Sequence, residues 1–216
     1  MALNDPVEPL NRTFFEFNRG VDTVVLRPLA ETYRTVLPQG GQDMVRNFLN
    51  NLKSPVVLAN DLLQGEVERA GETLGRFVVN TTMGVGGLFD VASTEHHTED
   101  FGQTLAVWGV GEGPYLVLPL FGPSNPRDAF GVGVDSVGDP LSLWANNTER
   151  DAITYGRFGA DAIDSYSRAM GDLETIEETS IDFYAAIRSL SRQHRRHQIE
   201  YGIYPDGKSM LETKSE

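Results

Sequence analysis

Gly or Pro interrupts every apolar run in EDFGQTLAVWGVGEGPYLVLPLFGPSNPRDAF, residues 99–130, and this punctuation constrains the fold more than any other feature of the chain. Asp100 is a good helix cap, with Gln103 three residues on. Phe101, Leu105 and Trp108 then share one face, which predicts a short helix that Gly109 ends. Gly109, Gly111 and Gly113 alternate with other residues before Pro114. A stretch with so little side-chain cover turns sharply or lies close against another surface. The run Tyr115 to Phe121 reads as extended and is broken by Pro119; Gly122, Pro123 and Pro126 close it.

The rest of the chain is cut into helix-length pieces. Pro6 and Pro9 keep residues 1–10 extended, and Asn11 is the expected cap of a short helix bearing Phe14, Phe15 and Phe17. Two readings fit these three Phe residues: a plug for the core, or contact with lipid. Val24 to Val36 predicts a helix that starts at Pro28. Asp43 to Gln64 follows a 3.6-residue period, and Ser54-Pro55 is expected to kink it. Asn47, Asn50 and Asn51 form one stripe on that helix. The stripe is either a solvated face or an uncharged polar wall beside the path of a lipid headgroup.

A further helix runs from Glu66 to Met83, where glycines stop it. The small residues Gly131, Gly133 and Gly138 mark either close helix packing or an irregular segment, and Asp139-Pro140 opens a helix over 141–146. Two long helices follow, Arg150 to Met170 and Asp172 to Arg196. The second starts acidic (Asp172, Glu174, Glu177, Glu178) and ends basic (Arg188, Arg192, Arg195, Arg196), which suits the helix dipole. The expectation is one all-α domain over 1–204 and a disordered tail over 205–216.

A net charge of −13 excludes nucleic acid as a partner and argues against a basic patch docking on anionic lipid. With no cysteine, disulfides and thiolate chemistry are excluded. No run approaches the ~20 apolar residues of a spanning helix. Met1 to Asp5 has neither the basic start nor the apolar core of a signal peptide. Composition alone therefore reads as a soluble cytoplasmic protein.

Motifs for catalysis are missing. The chain has no H-E-x-x-H and no G-x-S-x-G, and no cofactor is indicated. Gly109-Val110-Gly111-Glu112-Gly113-Pro114 lacks the Lys-Ser/Thr of a phosphate loop. His96-His97 with Glu95, Glu99 and Asp100, and the pair His194/His197, have metal-like spacing, but an exposed loop and a solvated helix end explain them better.

FGQTLAVWGVGEGPYLVLPLFGPSNPRDA, DPVEPLNRTFFEFN, NFLNNLKSPVVLANDLLQG and FVVNTTMGVGGLFDVAS together resemble the MlaA/VacJ lipoproteins of Gram-negative outer membranes. The blocks agree in order over roughly residues 4–200. The resemblance implies a non-enzymatic, membrane-embedded helical ring whose central amphipathic channel removes mislocalised phospholipid from the outer leaflet. It implies a channel hairpin or hinge at Gly109, Gly111, Gly113, Pro114 and Tyr115. It also implies attachment on the periplasmic side through a lipidated Cys preceding this sequence. The partners it implies are an outer-membrane porin trimer and a periplasmic lipid-carrier protein of the MlaC kind. Two other readings stand beside it: a lipid- or cell-wall-directed hydrolase using Asp100 and Asp135, and a soluble helical scaffold.

Overall fold

A computed structural model of the protein describes residues 4–203; the tail expected to be disordered, 205–216, lies outside the described residues. Helices dominate, and the sheet is a single two-stranded hairpin among the described residues. Helix α1 (Glu8–Val21) runs through a π-helical turn (Asp22–Leu26) into α2 (Arg27–Val36) without a break. The interruption expected at Arg27-Pro28 is absent. A π turn shifts the hydrogen-bond register, with Arg27 N–H donating to Asp22 O, and the helix carries Pro28 in the first turn beyond it. Similarly, α3 (Gln39–Gln64) is one helix with Pro55 inside it, and Ser54 Oγ donates to Asn50 O at 3.3 Å and caps nothing.

Gly65, at φ 85°, turns the chain into α4 (Val67–Thr82), which packs back on α3. Then come α5 (Phe101–Val107), β1 (Leu116–Leu118), β2 (Gly122–Ser124), α6 (Pro126–Gly138), α7 (Pro140–Asn147), α8 (Asp151–Thr179) and α9 (Phe183–Ile203). Asp100, Asn125 and Asp139 cap α5, α6 and α7 through their side chains. The boundary expected near Gly171 is not one, since α8 continues to Thr179. The acidic run therefore ends α8 and does not start α9, so the dipole argument fails. Those carboxylates meet cations of the first helices instead: Glu174 pairs with Arg27 at 3.0 Å, and Glu177 with Arg19.

Packing runs round a circuit. Contacts lead from α1 through α2 to α8, then to α7, α6, α5 and α9; α9 meets β2, and β1 returns to α1. At the α5–α6 crossing two glycines touch. A Cβ on Gly131 would lie 2.4 Å from Gly102 N, so only glycine allows these helices to approach so closely. Gly133, two residues on, faces open space.

Asn11 is not a cap. It lies inside α1, 1% exposed, accepting from Val117 N–H at 2.9 Å and donating to Tyr115 O at 3.0 Å and Asp5 at 2.7 Å. One amide thus serves as an extra rung for β1. Phe15 sits beside it in the core with Tyr115, Val117 and Tyr184, and Phe14 packs against that cluster. Only Phe17 is exposed, so lipid contact by all three is corrected: at helical spacing, residues 14, 15 and 17 cannot share one face.

Inside and outside are inverted. Among the described residues eighteen buried side chains are polar or charged against ten apolar ones, so the interior is held by hydrogen bonds as much as by packing. The largest fully buried side chains are Gln103, Asn11, Asn60, Thr104 and Asp61. Meanwhile Val24, Val36, Val67, Met83, Val137 and Tyr155 are each more than 70% exposed. No helix of the described residues is long and apolar enough to cross a membrane.

Two predictions follow from the packing. Phe15→Ala is expected to destabilise the protein by about 3–5 kcal/mol, while Phe17→Ser shifts it by no more than about 0.5 kcal/mol. Chemical unfolding in detergent measures both, and equal losses would contradict the assignment. Gly131→Ala should cost about 1–3 kcal/mol or more by overpacking, whereas Gly133→Ala should gain up to about 1 kcal/mol from helix propensity.

Candidate functional site

A cavity of about 590 Å³ opens between the hairpin, α6 and α9. Leu118, Phe121 and Pro123 of the hairpin and Ala129, Val132 and Gly133 of α6 give it an apolar side. Ser191, Arg192, His194, Arg195 and Gln198 of α9 give it a polar, basic one. Glu112 and Tyr115, from the glycine loop and its end, join the lining with Asp100, Asp128 and the polar Ser124, Asn125 and Ser136. Such a surface suits a ligand with a polar, charged end and an apolar body.

Arg195 anchors the basic side. Its Nη1 and Nη2 meet Asp100 at 2.6 and 2.7 Å, and its Nε and Nη2 meet Asp128 at 2.9 and 3.0 Å. This double fork joins α5, α6 and α9. Burial works to raise the Asp128 pKa, but hydrogen bonds from Arg195 and Arg127 outweigh it and hold the carboxyl below its usual range. Arg192 is placed differently. It makes one ion pair, at 2.6 Å, to Glu112 of the glycine loop, and both side chains remain partly exposed.

Behind the cavity lies a buried polar network. Glu99 accepts from Arg69, Gln64 and Gln103 at 2.7, 2.9 and 2.6 Å. Thr104 Oγ1 donates to Asn60 at 2.8 Å, and Asn60 donates to Asp135 at 3.0 Å. Asp135 also accepts from Phe101 N–H at 2.9 Å. Four elements, α3 to α6, are thereby locked together.

The residues singled out in the sequence divide. Gly109 (φ 88°) and Gly113 (φ 73°) hold left-handed turns, while Gly111 faces open space. The paired strands lie just after these glycines, at 116–118 and 122–124, rather than at 109–114. Pro114 is half-buried and Tyr115 is core. Asn51 donates to Thr81 at 3.0 Å, Asn47 reaches Leu88 O at 3.4 Å, and Asn50 is half-buried beside them. This stripe tethers the turn after α4 and lies away from the large cavity.

Asp100 is spent on Arg195 and on capping α5, and Asp135 on Asn60 and Phe101 N–H. The His96–His97 cluster is taken apart. His97 meets Asp61 at 3.1 Å, Glu99 meets Arg69, and Asp100 meets Arg195. Of the other pair, His194 lines the cavity. Arg192, Arg195, Ser191, Phe121 and Val132 were missed as site residues. The signal for the arginines was their spacing, since Arg188, Arg192 and Arg195 at i, i+4 and i+7 share one helix face.

Together these features define a helical protein with a largely polar interior, many exposed apolar side chains and an amphipathic cavity. Residues 3–198 match the sequence model of the family described as MlaA lipoprotein, and the chain belongs to that family. An uncharacterised protein of Rickettsia bellii is 34% identical over 201 residues, covering 91% of this chain and 77% of the relative. The intermembrane phospholipid transport system lipoprotein MlaA of Escherichia coli is 34% identical, covering 86% and 74%. Its Haemophilus influenzae namesake is 30% identical, covering 96% and 84%. A solved structure described as the structural basis for maintenance of bacterial outer membrane lipid asymmetry superposes with a TM-score of 0.77. It is 31% identical and covers 90% of this chain and 98% of that one.

The charge clamp predicts a pH dependence. The Asp128 carboxyl has a folded pKa below the ~3.9 of an unfolded Asp. Its stabilisation is present above that value and lost as pH falls through the lowered folded one. The stability difference between wild type and Asp128→Asn should therefore be full at about pH 7 and shrink below about pH 4. A difference unchanged down to about pH 2 would show that the charge contributes nothing.

Proposed function

We propose that the protein withdraws mislocalised phospholipid from the outer leaflet of the bacterial outer membrane and passes it to a periplasmic lipid carrier, maintaining lipid asymmetry. The single observation that carries this reading is the amphipathic cavity within an inverted protein. Exposed Val, Leu and Phe on nearly every helix make a surface that water disfavours and lipid accepts. With no spanning helix among the described residues, that surface seats the protein in the membrane as a ring-like body.

The cavity then treats the two ends of a phospholipid differently. The headgroup lies along α9, against Arg192 and Ser191, and the acyl chains lie along the hairpin and α6. Each methylene left in water costs about 0.8 kcal/mol, so the chains must stay on apolar surface throughout. Chemistry on the lipid is not part of this reading. It is supported by the two candidate carboxylates, Asp100 and Asp135, being committed to structural bonds. A lipid anchor on the periplasmic side, a porin trimer around the exposed face and a carrier at the exit complete the proposal.

The test fills the cavity. Gly133 lines it, and a side chain there meets open space, so Gly133→Phe should fold normally and enter the void. Transfer of labelled phospholipid from proteoliposomes to acceptor vesicles should fall at least about tenfold, a barrier increase of about 1.4 kcal/mol. Unchanged transfer in the folded variant would remove the cavity from the path. Release of fatty acid or diacylglycerol by the wild type would reinstate the hydrolase.

A further inference from the structure

Three features of the cavity bear on how a headgroup would be held. The first is the Tyr115 hydroxyl. Tyr115 is 4% exposed, its oxygen is buried without a formed hydrogen bond, and it borders the cavity. Ser191 stands beside it but gives its own proton to Arg188 O at 3.1 Å. Burial pushes the Tyr115 phenol up to about 12, so it remains a hydrogen-bond donor. Ser191 Oγ, its own proton given away, is the acceptor within reach, and a ligand oxygen would compete with it for the phenol proton.

The second is the unequal state of the two arginines. Arg195 has its donors shared between Asp100 and Asp128 and offers a ligand little. Arg192 is held at one point, by Glu112. The third is where Glu112 sits. The loop is fixed at its start by Gly109 N–H and Val110 N–H, donating to Ala106 O and Leu105 O at 2.9 Å each. At its end Asn4 donates to Gly113 O at 2.7 Å. Between these ends the Glu112 side chain ties it to α9.

We propose that a phosphodiester entering the cavity takes Arg192 from Glu112, is completed by the Tyr115 hydroxyl, and by breaking that ion pair frees residues 111–112, between the fixed ends of the loop, to move. The proposal rests on the conduit reading and adds the headgroup subsite and the latch it releases. Phosphate suits the exchange. It presents a fork of oxygens to a guanidinium as a carboxylate does, and it places a second oxygen for the phenol. Once it is bound, Glu112 faces a like charge with no cation of its own. Repulsion then favours its departure, and Gly111, open on all sides, does not obstruct the swing. Lipid arrival and loop movement become one event, because a ligand shifts a conformation only by what it binds differently in the two states.

The test uses the full chain in detergent micelles. Probes are a short-chain phosphatidylglycerol, the diacylglycerol with the same chains, and inorganic phosphate. Since the chain has no cysteine, a single Gly111→Cys, whose side chain meets open space, carries a spin label between the fixed ends of the loop. Arg192→Gln should weaken phosphatidylglycerol binding about tenfold or more, and Tyr115→Phe, which keeps the ring packing, about threefold to tenfold. Glu112→Gln should strengthen binding about threefold, because the internal competitor is lost. The label should become mobile when phosphatidylglycerol binds the wild type, and be mobile without lipid in Glu112→Gln. Binding unchanged or weakened by Glu112→Gln, or a label indifferent to lipid, overturns the latch. If wild type and variants bind phospholipid and diacylglycerol alike, the subsite falls and the conduit stands. If the wild type binds neither, both fall. Inorganic phosphate competing as strongly as the lipid overturns the headgroup assignment in favour of a free anion.

Discussion

One guanidinium holds three helices in place. Arg195 of α9 lies between Asp100, the cap of α5, and Asp128, in the first turn of α6. It rests on Gly102, where an added Cβ would come 2.7 Å from its Nη2. The clamp works only because Gly102 and Gly131 let α5 and α6 touch. Remove the closeness and the two carboxylates no longer converge on one cation. The cavity wall on α9, and with it Arg192, is placed by that convergence.

The interior follows the same logic. A water-soluble protein of this length would fill its centre with apolar side chains and put charge outside. Here Asp61 is buried and accepts from Thr73, Asn60 accepts from Thr104 and Gln103 donates to Glu99, while many Val, Leu and Phe side chains face outward. In the proposed seating in lipid the hydrophobic effect would supply no attraction between helices, and small-residue contacts and hydrogen bonds would hold the assembly. Buried polar groups are costly unless paired, and Glu99 has three donors around it, while Gln64 Oε1 in the same network is left without a partner.

Local structure was legible wherever it depended on neighbours in the chain. The cap at Asp100, the helix opening at Asp139-Pro140, the stop at Gly109 and the amphipathic third helix all read directly. Two prolines misled. Pro28 and Pro55 look like breaks, yet a π turn accommodates the first and α3 passes through the second. Asn11 misled too, since the same amide that caps a helix also satisfies a strand when tertiary contact brings one near.

By itself the sequence determined the helical class, the Gly/Pro punctuation and, through ordered blocks of residues, the family. Those depend on short-range periodicity and turn chemistry, which any window of the chain displays. What only the tertiary structure decided is which side faces in. Hydrophobic periodicity marks an apolar stripe but not whether that stripe meets a core or a lipid, because both are equally free of water. It took the fold to set Phe15 inside and Phe17 outside, to spend Asp100 and Asp135 on structure, and to bring Tyr115, Glu112 and Arg192, up to 80 residues apart, to one cavity.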